Sequence, residues 1–447
     1  MATESTNSRR DFIKKATLGT LGVSTFGFSA RSYGQILGAN DRVRVAIVGF
    51  SNRFKDSLFP AFMNHAKPLN FQFVGVSDIW NRRRNEAAAF LKEKADLKIQ
   101  QYRNNDELYA QKEIDAVIIS TADFQHALMG VEAVQNNKDA YLEKPMAETM
   151  EDAMAILKAV EASKKIVQIG SQRRSAPNYI AANEYIRSGK FGDIKMVEMT
   201  WNVNQPGRWR LPKLVSEIRQ EDTDWDRFLM NRPKVAWDPR KYLEYRLFWP
   251  YSSGIPGQWM SHQIDTVHWF SGLDHPRSVS ANGGIYMWQD GRENPDTMTA
   301  VFDYGPDNDK SKGFQVVYSS RFSNSAGGTK ELYYANGGML NLDTNKITPE
   351  GGLSQNEAKA MGMAANLLTE YTLPNQAKIE TGANTGGDPM TSLHMRNWMD
   401  CVRSRKTPNA SVRAGYNHSV ANIMTRTALQ TGKRVTFDSA KQEVVLS

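Results

Sequence analysis

The sequence predicts an α/β domain with a helix-covered parallel sheet, followed by an α+β domain built on an open, mostly antiparallel sheet. Three observations carry this. Residues 41–62 read as strand, glycine turn, helix. Six strand-like runs alternate with helix-like ones from 42 to 170, the grammar of a parallel sheet covered on both faces. After about residue 175 the strands lengthen and the helices between them thin out.

In the first strand Val43, Val45 and Ile47 alternate with Arg42, Arg44 and Ala46, and the run ends at Val48 before Gly49. Leu58, Phe59, Phe62 and Met63 then recur at helical spacing. Further strands are expected over residues 71–78, 98–102, 115–121, 139–145 and 165–170, with amphipathic helices such as 81–95 and 150–165 between them. Their continuous apolar runs suit burial on both faces. This is a Rossmann-type arrangement, assigned to residues 41–172. In the second domain, residues 173–447, strands are expected at 193–204, 276–288, 296–305 and 313–320, around one helix at 257–272. Residues 352–389, rich in Gly, Asn, Thr and Ala, read as a long excursion, and helices are expected at 392–406 and 415–433.

With 447 residues and 40% hydrophobic content, the chain is long enough for two ordinary cores. Residues 1–34 hold five basic groups and two acids, so the net charge of +8 falls to +5 for the remainder. The one dense basic run, at 81–86, reads as a solvated helix face, so no nucleic-acid partner is expected. Arg9 and Arg10, then an uncharged run from Ala16 to Ala30, match a twin-arginine (Tat) export signal over residues 1–34. That run is too short to span a bilayer, and no other membrane segment is signalled. Cys401 is the only cysteine, so no intramolecular disulfide can form. Export of an already folded chain to the periplasm agrees with this.

The glycine loop departs from the G-x-G-x-x-G dinucleotide pattern: Gly49 holds the first position, Ser51 the second and Phe54 the third. Gly49 makes the tight turn, Ser51 is the next smallest choice for backbone approach to a pyrophosphate, Asn52 tolerates positive φ and Arg53 adds charge toward phosphate. Asp78 ends the second strand, where an acid bonds ribose hydroxyls and disfavours a 2′-phosphate. It reads alternatively as a turn aspartate capping the next helix. Arg82, Arg83 and Arg84 beside it leave NADP open, with NAD favoured. In residues 141–145, YLEKP, Lys144 stands at the carboxyl end of the fifth strand, where ligands sit in such sheets. A desolvated lysine there has a lowered pKa and can exchange protons. A surface ion pair of Glu143 and Lys144 is the plainer alternative.

These stretches, with residues 120–145, 168–175, 257–269 and 394–406, resemble the Gfo/Idh/MocA oxidoreductase family from about residue 41 to 437. The resemblance implies an NAD(P) domain, an open-sheet domain through which copies oligomerise, and hydride transfer to or from a sugar or polyol carbon. It implies cofactor contacts at Ser120, Thr121, His126, Glu143 and Lys144. It also implies catalysis by Lys144 and proton transfer by His262. Some members place an acid four residues before that histidine; here the position is Gln258, which cannot ionise.

His262, Asp265 and His268 share one side of the expected helix; no fourth ligand is signalled, so no metal site is expected. Asp265 orients or packs. Aromatic residues crowd 201–251, and aromatic faces with Arg donors suit a pyranose. The expected substrate-binding set is Arg173, Arg208, Trp249, Tyr251, Gln258, His262 and Asp265. Nicotinamide cofactors are cytoplasmic, so an exported enzyme is expected to hold its cofactor tightly and regenerate it in place. Two other functions stay open: an NAD-dependent glycosidase working by oxidation, elimination and re-reduction, and a non-catalytic carbohydrate-binding relic. Intact Lys144 favours the oxidoreductase, because the glycosidase branch lacks that lysine.

Overall fold

The computed structural model describes residues 41–205, 207–374 and 388–447; the expected export segment lies outside the described residues, as does part of the 352–389 excursion. The first sheet has six parallel strands: β1 (Val43–Val48), β2 (Phe71–Ser77), β3 (Gln100–Tyr102), β4 (Ala116–Ile119), β5 (Asp139–Leu142) and β6 (Val167–Ile169). Their order is β3-β2-β1-β4-β5-β6. The order reverses between β1 and β4, and a crevice opens beyond their carboxyl ends. β1 is buried on both faces. Val45 and Ile47 pack into one helical layer, and Ala46 and Val48 into the other.

The second sheet has ten strands: β7 (Ile194–Asn202), β8 (Ser278–Gly284), β9 (Thr297–Tyr304), β10 (Phe314–Arg321), β11 (Thr329–Ala335), β12 (Gly338–Asn341), β13 (Lys346–Thr348), β14 (Tyr371–Thr372), β15 (Val435–Asp438) and β16 (Glu443–Leu446). Only β7 and β10 run parallel; every other pair is antiparallel. The four expected strands form β7 to β10, while β11 to β16 were not anticipated. Buried residues alternate cleanly along β9, with Met298, Ala300, Phe302 and Tyr304 facing the core. The excursion contributes a short helix, Gln355–Ala360, and the edge strand β14.

One helix of the expected second domain, residues 173–447, packs on the first sheet. Helix Pro389–Ser404 carries Met395, Trp398, Met399 and Val402 on one face, at i, i+3, i+4 and i+7. That face packs into the N-terminal domain's core rather than the second domain's. Trp398 is fully buried, its ring centroid 6.1 Å from Phe71 and 6.0 Å from Tyr141. The chain thus returns to cover its first sheet. Truncating this anchor leaves a cavity between helix and sheet. Trp398→Ala is expected to lower unfolding free energy by about 3–5 kcal/mol, read as a lower denaturant midpoint.

Candidate active site

A cleft of about 640 Å³ lies where the first sheet's carboxyl ends face the second domain. Gly49 to Arg53 follow β1, Asp78 follows β2, Ser120 and Thr121 follow β4, and Glu143 and Lys144 follow β5; all line it. The opposite wall carries Trp201, Arg208, Trp209, Arg246, Gln258, Trp259 and His262.

The glycine loop is ordered by its own polar groups. Gly49 has φ +82, and a Cβ there would meet Thr121 Cγ2 at 2.6 Å, so only glycine fits the turn. Ser51 Oγ accepts from the Phe54 amide at 3.1 Å, which makes it the helix N-cap. Its hydroxyl donates to Ser120 Oγ at 3.1 Å, and Ser120 Oγ donates to the Gly49 carbonyl at 3.0 Å. The first amides of this helix are left for a ligand, with the dipole's positive end behind them. The fully buried Phe54 sits in a π-helical turn, Phe54–Leu58, with ring centroids 5.5 Å from Phe73 and 5.8 Å from Phe50. The bulky side chain at the third glycine position therefore packs into core beside a widened helix.

Asp78 accepts from the Phe50 amide through Oδ2 and from the Trp80 amide through Oδ1, both at 2.9 Å. Burial pushes its carboxyl up, against those two bonds. Each oxygen keeps a lone pair for a ribose hydroxyl. The neighbouring arginines are engaged. Arg82 meets Glu86 at 2.9 Å and Glu217 at 2.6 Å, Arg83 meets Glu86 at 2.8 Å, and Arg84 donates to the Asp78 carbonyl at 2.6 Å. Arg53 is not free for phosphate either: its Nε meets Glu143 at 2.9 Å. Burial alone would raise the Glu143 carboxyl, but Arg53 beside it brings it below the usual range. His126, buried in the cleft wall, bonds the Pro145 carbonyl through Nδ1 at 2.8 Å, and its Nε2 has no hydrogen-bond partner among the described residues. The glycine turn, the capped amides and this orphaned nitrogen fit a dinucleotide.

Lys144 and Gln258 join the two walls. The Lys144 ammonium donates to the Gln258 backbone carbonyl. Burial pushes its pKa down to about 7, opposed by Glu143 and Asp123. Gln258 lies in a second π-helical turn, Pro256–Met260, directly before helix Ser261–Ser271. Such turns interrupt the i→i+4 ladder and free carbonyls to bond elsewhere. The Gln258 side-chain amide donates to Asp123 Oδ2 at 2.6 Å, and Ser252 Oγ donates to the same oxygen at 2.6 Å. His262 stands one turn later. Burial, then the charges of Lys144 and Arg173, hold its pKa well below the ordinary value, so the ring is neutral. Trp201 lies 5.7 Å from it, centroid to centroid.

Four expected site residues, Arg173, Trp249, Tyr251 and Asp265, do not line the cleft. Arg173 is buried in an ion pair with Glu331, whose other oxygen takes the Thr266 hydroxyl. Asp265 is buried and paired with Arg174 at 2.8 Å, which keeps it strongly acidic against its burial. Tyr251 fills an aromatic cluster, 5.4 Å from Phe124 and 5.9 Å from Phe228. Trp249 lies under Arg426, 3.8 Å from the guanidinium to the ring centroid. Buried charge needs a partner and large rings fill core; those demands claimed Arg173, Asp265 and Tyr251, while Trp249 is half-buried beneath Arg426. Sequence reasoning missed Asp123, Arg246 and Trp259. Asp123 had a readable signal, being an acid just past a strand's carboxyl end, as Asp78 is.

Residues 43–171 match a family model, GFO_IDH_MocA, described as "Oxidoreductase family, NAD-binding Rossmann fold". Inositol 2-dehydrogenase of Salmonella typhimurium is 25% identical over 213 residues, 47% of this chain and 60% of that protein. A glycosyl hydrolase family 109 protein of Shewanella baltica is 22% identical over 45% of this chain and 50% of that one. The chain thus spans about 60% of the length of the first curated relatives it matches. The crystal structure of the WlbA dehydrogenase from Bordetella pertussis, in complex with NADH and UDP-GlcNAcA, shares the fold. The two superpose with TM-score 0.62 at 18% identity, over 89% of this chain and 98% of that one.

The loop geometry gives a direct test. Gly49→Val is expected to weaken NAD binding by at least about tenfold, seen by calorimetry, because the turn rejects a side chain at positive φ.

Proposed function

We propose, from the premise that residues 43–171 form an NAD-binding Rossmann domain of the Gfo/Idh/MocA oxidoreductase family, that this chain is an NAD-dependent oxidoreductase acting on a carbon of a sugar or sugar derivative. The observation that carries the reading is Lys144, half-buried at the end of β5 on the wall that His262 faces, its ammonium bonded to the Gln258 carbonyl and its pKa pushed down to about 7 by burial. The cofactor, when bound, supplies the hydride acceptor or donor. Gly49, the Ser51-capped helix and Asp78 would hold it. The occupied state of Arg82, Arg83 and Arg84 favours NAD over NADP.

The protein's own groups then handle a hydroxyl proton. The neutral His262 ring has no hydrogen-bond partner among the described residues, so it can accept a bond from a substrate hydroxyl and orient it. Lys144 is the better proton exchanger, because general bases work best when their pKa is near the operating pH. Proton transfer, expected mainly of His262, thus falls chiefly to Lys144. Trp209, half-buried on the cleft wall and backed by the buried Trp259 at 6.0 Å, offers the apolar surface that a pyranose ring needs.

A redox-neutral glycosidase cycle is the second reading, favoured by the likeness to the family 109 protein. It predicts sugar release from aryl glycosides without an added acceptor. We further propose export by the twin-arginine segment with tightly held cofactor, in keeping with the single cysteine, Cys401, which is buried and unpaired. The outer face of the second sheet, where Val301, Val317 and Leu332 are only partly covered, supports a homo-oligomer.

Protein purified after export is expected to release NAD(H), not NADP(H), on denaturation; an empty protein that takes up no added nucleotide overturns the reading. Lys144→Met is expected to lower kcat by about 10²–10⁴ while nucleotide content is kept. In the oxidation direction the rate should rise with pH through an inflection near 7, as the amine loses its proton, and the variant should lose that inflection.

A further inference from the structure

Two arginines on the second domain's wall differ from the other guanidinium groups in the cleft. Each of the others meets a carboxylate within 2.9 Å. Arg208 meets none among the described residues. Its guanidinium donates to the Gln205 side-chain oxygen and lies over the Trp209 and Trp259 rings, 5.9 and 5.5 Å from their centroids. Arg246 donates no hydrogen bond among the described residues, and its nearest carboxylate is Asp123 Oδ1, at 4.0 Å. In both arginines the Nε is buried without a hydrogen-bond partner among the described residues.

The two are close enough to disfavour each other. Burial first, and the charge of Arg246 second, bring Arg208 down to about 10. Arg246 stands at the reacting end of the cleft: its nearest carboxylate, Asp123, holds the Gln258 side chain, and the Gln258 carbonyl takes the Lys144 ammonium. A pyrophosphate held by the Ser51-capped helix would sit on the opposite domain. Two guanidinium groups that share one distant carboxylate, against aromatic walls, are costly unless a further anion joins them. Asp123 offers one negative charge toward the pair, and its Oδ2 is already taken by Gln258 and Ser252. One positive charge is left over, which suits a monoanion.

The geometry points to a sugar acid as substrate, its carboxylate clamped by Arg208 and Arg246 while its reacting hydroxyl lies at Lys144 and His262. This rests on the oxidoreductase reading of the same cleft. Planar guanidinium forks match a carboxylate bidentately, and the half-buried Trp209 beside Arg208 leaves apolar surface for the sugar ring.

The test compares D-glucuronate and D-galacturonate with D-glucose, D-galactose and glucose 6-phosphate on the purified, NAD-loaded protein. Binding is followed by calorimetry, and turnover by the absorbance of reduced cofactor. At least one acid is expected to bind about tenfold or more tighter than its neutral parent. Arg208→Gln and Arg246→Gln are expected to erase that preference, weakening acid binding by about 30-fold with nucleotide content unchanged. Arg246→Lys, which keeps the charge without the fork, should fall between. No preference for either acid overturns the proposal. So does tighter binding of glucose 6-phosphate, or loss of nucleotide in Arg246→Gln, which would assign that arginine to the cofactor. A protein that binds the acid but never holds NAD sinks the oxidoreductase reading and leaves the clamp standing. One that reduces its NAD with neutral sugars and ignores the acids does the reverse.

Discussion

The hydrogen bond from the Lys144 ammonium to the Gln258 carbonyl is the contact on which the rest of the cleft depends. It ties the end of β5 to the helix that carries His262, and so sets the two proton-handling groups relative to each other. Its partner is a dipole rather than a charge. A carboxylate in that place would stabilise the ammonium and keep it protonated far above neutrality. A carbonyl compensates burial only in part, and the lysine is left titrating near 7. Asp123 fixes the arrangement from behind, through the Gln258 amide at 2.6 Å. This also explains the glutamine. An ionised acid at position 258 would face Asp123 directly, and two carboxylates at that distance repel. The negative charge that helix position 258 lacks is supplied instead from the loop after β4.

The charges around the cleft sort by partner. Arg53 serves Glu143, and Arg82 and Arg83 serve Glu86. These cations shape the floor and are spent within the protein. A guanidinium already bridged to a carboxylate gains little from a phosphate, since a new anion must displace a bond of similar strength. The pairings thus bear on cofactor choice more than the raw count of basic residues does. The sequence shows three consecutive arginines beside Asp78; the structure shows each of them occupied.

The first domain was legible because its signals are local. Apolar runs, a glycine turn and alternating helices fix a parallel sheet with few alternatives, and the positions after β1, β2, β4 and β5 follow from the rule that ligands gather at carboxyl ends. The second sheet was half legible. Strands β7 to β10 alternate or run apolar over seven residues or more, whereas β12, β13 and β15 have four or fewer. The β11–β12 hairpin carried a usable sign in Asn336-Gly337, which separate the paired Ala335 and Gly338. Arg173 and Asp265 misled because a polar residue near a motif is equally suited to a substrate or to a buried partner. Glu331 and Arg174 decide the matter, and they lie 158 and 91 residues away. Both π-helical turns were invisible, because the extra residue that widens a helix has no composition of its own.

Those two turns answer what became of the missing glycines. The glycine pattern exists to satisfy two requirements: a turn tight enough to aim helix amides at a ligand, and a helix able to lie against its strand. Here the first is met by Gly49 at φ +82 with Ser51 capping the helix. The second is met by the turn Phe54–Leu58, which lets a phenylalanine fill the layer where backbone contact would otherwise close. The second turn, Pro256–Met260, likewise delivers the Gln258 carbonyl that a regular helix would keep for itself. In both places the backbone departs from the α register to do what a side-chain pattern would have announced. A fingerprint scored on residue identity therefore undervalues this chain, since the requirement was always for amides, space and direction.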